Sequence, residues 1–95
     1  MSNSDPHDAY KKGVKATKTS MFKWSADHLG GSIYFEEAAK GFMKIGDEKM
    51  AKDSYIKYAH SSEKIDSLSC AADGYTQAAF LEDDFEKSEK LLKKA

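Results

Sequence analysis

The side chains of this chain that could do chemistry are few and scattered. His7, His28 and His60 lack the i, i+4 pairing that sets two imidazoles on one helical face, and the single cysteine, Cys70, cannot complete a structural zinc site. No metal and no cofactor is expected. Serine, histidine and aspartate all occur, but there is no nucleophile elbow and no Gly-x-x-x-x-Gly-Lys phosphate loop, and Gly30-Gly31 falls at the start of a helix. The pair Glu36-Glu37 and the acidic turn from Glu82 to Glu86 read as solvated surface rather than acid-base machinery, although that turn could dock a basic partner. No catalytic residue is assigned. A different chemistry belongs to Met21, Phe22 and Trp24, which stand beside Lys18 and Lys23: large apolar groups flanked by ammonium groups suit the boundary between lipid headgroups and acyl chains. Residues 1–24 hold five lysines against Asp5 and Asp8, a net +3. Attraction to anionic lipid adds about 1 kcal/mol per lysine near the surface. Core packing is the competing use of these residues. Trp24 equally suits capping the core between the first two helices, Met21 suits the last core position of the first, and Phe22 is best suited to exposure.

Size and composition bound the rest. Ninety-five residues make one small domain or two to three helical hairpins, enough for a thin core but not an enclosed catalytic cleft. An adaptor is therefore expected rather than an enzyme. A hydrophobic fraction of 40% with 12% aromatics argues for a folded chain, while 33% charged residues and a mean hydropathy of -0.70 require much solvated helix surface. A net charge of -1 gives no electrostatic case for nucleic acid. All 15 basic residues are lysine, so the guanidinium fork that grips carboxylate or phosphate bidentately is missing and cation contacts must be point charges. Cys70, beside Ala71 on an apolar helix face, reads as a packed thiol in a reducing compartment. The longest apolar run, Ala78 to Leu81, is too short for a signal peptide or a membrane span, which places the chain in the cytoplasm, free or peripheral.

The elements follow from capping and periodicity. Ser4 or Asp5 caps a first helix with Pro6 just inside it; Tyr10, Val14, Thr17 and Met21 share a face, Gly13 weakens the helix, and it ends near residue 20. The periodicity then breaks over a loop, 21–26. Asp27 caps a second helix to about Ile45 with the stripe Leu29, Ser32, Phe35, Ala38, Ala39 and Phe42, closed by Gly46. Asp47 caps a third helix through Met50, Ala51, Tyr55, Tyr58, Ser62 and Ile65, and the short connection makes the pair antiparallel. Asp66 or Ser67 caps a fourth helix carrying Leu68, Ala71, Ala72, Tyr75, Ala78 and Ala79, despite Gly74 in its middle. In the fifth, Phe85, Ser88, Leu92 and Ala95 keep one face, with about four extra residues at the tip around Glu82-Asp83-Asp84.

Phe35, Ala38, Ala39 and Phe42 return 33 residues later as Leu68, Ala71, Ala72 and Tyr75. A large, small, small, large stripe lets a neighbouring helix approach closely, and with Ala51-x-x-x-Tyr55 it reads onto the tetratricopeptide signature. The expected fold is all-α, a tetratricopeptide-like right-handed stack of antiparallel hairpins, about five helices in a single domain over 1–95. Its parts are helix one at about 5–20, hairpin one at 27–65 and hairpin two at 67–95. A bundle with alanine-rich seams is the alternative. No polar helix covers the last apolar face, as repeat stacks require, so the chain reads as a fragment, a truncated gene product or half of an oligomer, the first two being favoured and the N-terminal part of a longer solenoid expected.

Lys18-Thr19-Ser20-Met21-Phe22-Lys23-Trp24, then Asp27, then Ser32-Ile33-Tyr34-Phe35-Glu36-Glu37-Ala38-Ala39-Lys40-Gly41-Phe42, resembles the N-terminal region of the soluble NSF attachment proteins, most closely the gamma class. Ala51-Lys52-Asp53 and Ala71-Ala72-x-x-Tyr75 continue the resemblance, which covers about residues 15–80. It implies a non-catalytic adaptor that lies along the SNARE four-helix bundle, recruits an NSF-type ATPase to take the bundle apart after membrane fusion, and serves intracellular vesicle transport while peripherally associated with endomembranes. It further implies a membrane-dipping loop, here Met21, Phe22 and, at its edge, Trp24. SNARE-contacting residues are not assigned, and the family's ATPase-engaging C-terminal part has no counterpart in these residues. A tetratricopeptide-like peptide-binding scaffold without a membrane role is the alternative function.

Overall fold

Local chemistry sets the helix ends. In a computed structural model, which describes residues 5–18 and 27–94, five helices follow one another: α1 (Pro6–Thr17), α2 (His28–Lys44), α3 (Glu48–Lys64), α4 (Leu68–Leu81) and α5 (Phe85–Lys94). The free N–H groups of a first helical turn need acceptors. The Asp5, Asp27 and Asp47 carboxylates supply them, accepting from His7 (2.9 Å), Gly30 (2.8 Å) and Met50 (3.2 Å), and Asp84 accepts from Glu86 (2.9 Å) and Lys87 (3.2 Å). Ser67 holds the cap position of α4 without a side-chain bond. Two C-termini close in the same way. Gly46 (φ 79°) and Asp66 (φ 59°) turn left-handed, so that the Asp47 N–H reaches the Phe42 carbonyl at 2.9 Å and the Ser67 N–H reaches that of Ser62 at 2.8 Å.

α1 ends at Thr17, short of residue 20, because its carbonyls find other partners. The Ala16 carbonyl, which a longer helix would offer to residue 20, accepts the Asp27 N–H at 2.7 Å, and Lys18 is already extended. The Thr17 hydroxyl folds back on the Gly13 carbonyl at 2.9 Å.

Each helix packs on its chain neighbour, α1 on α2, α2 on α3, α3 on α4 and α4 on α5, giving a stack of helical hairpins without a strand among the described residues. The shortest dimension, 20 Å, is about two helix diameters. Phe35, Ala38, Ala39 and Phe42 are all buried on α2, as their spacing predicts. α3 lies between two partners and so buries two faces, adding Ser54, Ala59 and Ser61 to the expected Ala51, Tyr55, Tyr58 and Ser62.

The interval that organises this packing is 20 residues, from one helix to the next, rather than 33. The helices superpose cap on cap: Asp27, Asp47, Ser67; then Gly31, Ala51, Ala71; then Phe35, Tyr55, Tyr75; then Ala39, Ala59, Ala79. Leu68 therefore does not repeat Phe35: it is 70% exposed, and Leu29, expected in the α2 stripe, is 60% exposed. Both sit in a first turn, where side chains lean toward the helix N-terminus and overshoot the end of the packed partner. The three turns, 45–47, 65–67 and 82–84, are of equal length, so the fifth helix has no extra residues before it. The expected α5 face holds at Ser88, whose hydroxyl donates to the Ala79 carbonyl at 3.1 Å, but not at Phe85 and Leu92, which are exposed while Leu91 packs inward. Ala95 lies outside the described residues.

Two glycines that weaken helix propensity are points of close approach. A Cβ on Gly13 would lie 2.7 Å from the Phe35 ring, and one on Gly74 would lie 2.9 Å from both the Tyr55 carbonyl oxygen and the Ala59 methyl.

Candidate functional site

Antiparallel packing gathers the C-termini of α1 and α3 and the N-termini of α2 and α4 at one end of the stack. The chain leaves α1 at Lys18 and re-enters at Asp27, and the bond from the Asp27 N–H to the Ala16 carbonyl holds exit and entry together. Of the residues expected to meet membrane, Lys18 is described and exposed; Met21, Phe22, Lys23 and Trp24 lie outside the described residues. At this same end of the stack, on different helices, lie exposed apolar side chains that periodicity assigned to the core, Leu29 on α2 and Leu68 on α4, with the partly exposed Ile65 on the turn before α4. A sequence signal for them exists in the 20-residue register. It aligns Leu29 with Lys49 and Leu68 with Glu48, both solvent positions.

Lysines frame the same end. Lys11, Lys15 and Lys18 recur along α1 beside Tyr10 and Val14, and Lys57 and Lys64 stand on α3 across a cleft from Val14 and Thr17. Tyr10 ties the two helices. Its phenol donates to the Asp53 carboxylate while the Lys57 ammonium sits 5.8 Å from its ring centre. Burial, and secondarily that bond, push the Tyr10 hydroxyl well above the usual phenol range, so it stays protonated and keeps donating. His28 and His60, scattered in sequence, both line this cleft.

The acidic turn proves to be structural at two of its carboxylates. Glu82 accepts from the Lys52 ammonium at 2.7 Å; that bond first, and the Asp84 N–H second, hold its carboxyl below the usual range. Asp84 is spent on the α5 cap. Cys70 is half-buried against Tyr58, and its thiol is drawn below the ordinary value by hydrogen bonds with Ser67 first and Tyr58 second.

Among the described residues no three histidine, cysteine or acidic side chains gather in a metal-holding group, and no helix is long and apolar enough to cross a membrane. What the end of the stack offers is cationic and apolar surface side by side.

No protein-family model matches the sequence. The chain is similar to gamma-soluble NSF attachment protein of Arabidopsis thaliana, at 34% identity over 79 residues, or 83% of this chain. It spans 27% of that relative's length.

Proposed function

This chain is related to the soluble NSF attachment proteins, and on that premise we propose that it is a non-catalytic adaptor of SNARE complex disassembly. The helical stack lies along a SNARE bundle, its loop end touches the membrane, and the assembly presents the bundle to an NSF-type ATPase in vesicle fusion and intracellular transport. The observation that carries this reading is the similarity itself, which runs over 79 residues of a chain built of stacked helices. Support for the membrane contact comes from Lys15, Lys18 and the exposed Leu29, which flank the segment that holds Met21, Phe22, Lys23 and Trp24, and from Leu68, exposed at the same end of the stack. Binding to bundle and bilayer together then gains from avidity, each contact raising the effective concentration of the other.

Flotation with liposomes that carry or lack an assembled SNARE complex tests both contacts. The chain is expected to float with the SNARE-bearing liposomes and to be lost from them on Met21→Ser plus Phe22→Ser at unchanged helicity. A chain that stays in solution with both kinds of liposome defeats the adaptor reading and leaves a soluble peptide-binding scaffold.

A further inference from the structure

The cleft between α1 and α3 has a volume of about 310 Å³, at the lower edge of the range for small-molecule sites. Val14 and Phe35 give it an apolar floor, and its polar lining comes from His28, Lys57, His60, Ser61 and Lys64. No carboxylate lines it among the described residues. Lys57 pairs with its helical neighbour Asp53 at 3.6 Å, both side chains partly exposed, and lies over the Tyr10 ring, while Lys64 has no ion-pair partner among the described residues. One further group is unspent. The His28 Nδ1 is shut off from solvent and has no hydrogen-bond partner among the described residues. An unsatisfied buried polar atom is costly, and the cost is recovered when a ligand supplies the partner.

We propose that this cleft binds a small anion carrying several phosphate groups, of the inositol polyphosphate type, either free or as a lipid headgroup. The lining sets two ammonium groups, two imidazoles and a hydroxyl around one cleft, which suits the tetrahedral spread of phosphate oxygens. Planar carboxylate is gripped best by the guanidinium fork that this chain lacks. More than one phosphate is called for because Val14 also borders a second depression, lined by Lys11, Lys15 and Lys18, where a second anionic group meets a second set of ammonium groups. The site stands on its own residues and not on the membrane reading.

Titration of the isotope-labelled full chain with inositol 1,4,5-trisphosphate, followed by amide chemical shifts, is the test. Shifts are expected to centre on Thr17, His28, Ser61 and Lys64. Lys57→Gln plus Lys64→Gln should weaken binding about tenfold or more at unchanged circular dichroism, while Lys49→Gln plus Lys90→Gln, exposed on other surfaces, should leave it intact. Met21→Ser plus Phe22→Ser should also leave it intact, which separates this site from the membrane contact. Flotation with phosphatidylcholine vesicles containing phosphatidylinositol 4,5-bisphosphate, against phosphatidylserine vesicles of equal surface charge, distinguishes the sources. Preference for the bisphosphate identifies a headgroup, and trisphosphate binding without that preference identifies a soluble ligand. Shifts spread over every lysine-rich surface, equal losses from the two lysine pairs, or no shift at millimolar ligand would overturn the proposal.

Discussion

The α2–α3–α4 layer and the α4–α5 pair use the same connection, three residues between helices, yet they are held together by different means. In the first, Tyr55 packs with Ala39 of α2 and Ala78 of α4, Tyr75 packs with Ala59 of α3, and Phe35 joins the Tyr55 cluster, all at nearly or fully buried positions. In the second, no α5 residue is buried; Leu91, the Ser88 hydroxyl and the Lys94 ammonium 5.5 Å from the Tyr75 ring make the contact. Turn length thus fixes which helices are neighbours, while side-chain size fixes how firmly they hold. α5 is expected to open locally at a free energy well below that of global unfolding.

The widest gap between the two regions should show in truncation. Phe35→Ala is expected to cost about 3–5 kcal/mol in urea denaturation, a large part of the stability of a domain this size, whereas Leu91→Ala, only half-buried, should cost about 1 kcal/mol. Equal losses would break the comparison. Gly74→Ala sharpens it from the other direction. Helix propensity alone makes that change favourable by about 1 kcal/mol, but the new methyl meets the Tyr55 backbone, which cannot swing away, and a net loss of about 1–3 kcal/mol is expected. A stabilised Gly74→Ala variant would show that α3 and α4 pack more loosely than their ring-on-alanine seam implies. The smallest effect separates two turns of identical geometry. Asp66→Gly should stabilise by about 0.5–1 kcal/mol, because Asp66 carries a Cβ in the left-handed region that Gly46 occupies freely, and Gly46→Asp should shift the thermal midpoint the opposite way.

These residues also show what could be read from the sequence. Pro6, Asp27, Asp47 and Gly46 announced their helix ends because capping is a short-range matter of one carboxylate or one backbone angle. The stripe Phe35-Ala38-Ala39-Phe42 was legible for a similar reason, since one helix has one period. The alignment between helices was harder. Matching on large and small residues favoured the 33-residue interval, which set Leu68 on Phe35; the true interval from α2 to α4 is carried by the caps, and only then do Leu29 and Leu68 fall to solvent. The candidate cleft was invisible for a further reason. His28, Lys57, His60 and Lys64 are ordinary surface residues until α1 is laid beside α3, and Tyr10 and Asp53, which join those helices, are 43 residues apart.

The main-chain bond from Asp27 to Ala16 has an evolutionary consequence. A segment whose two ends are fastened at one point behaves as an exchangeable cassette, because its insertion or deletion changes nothing in the register of the helices it joins. The entropy of closing a longer excursion grows only with the logarithm of its length. Changes confined to residues 19–26 then leave the spacing of Asp27, Asp47 and Ser67 untouched.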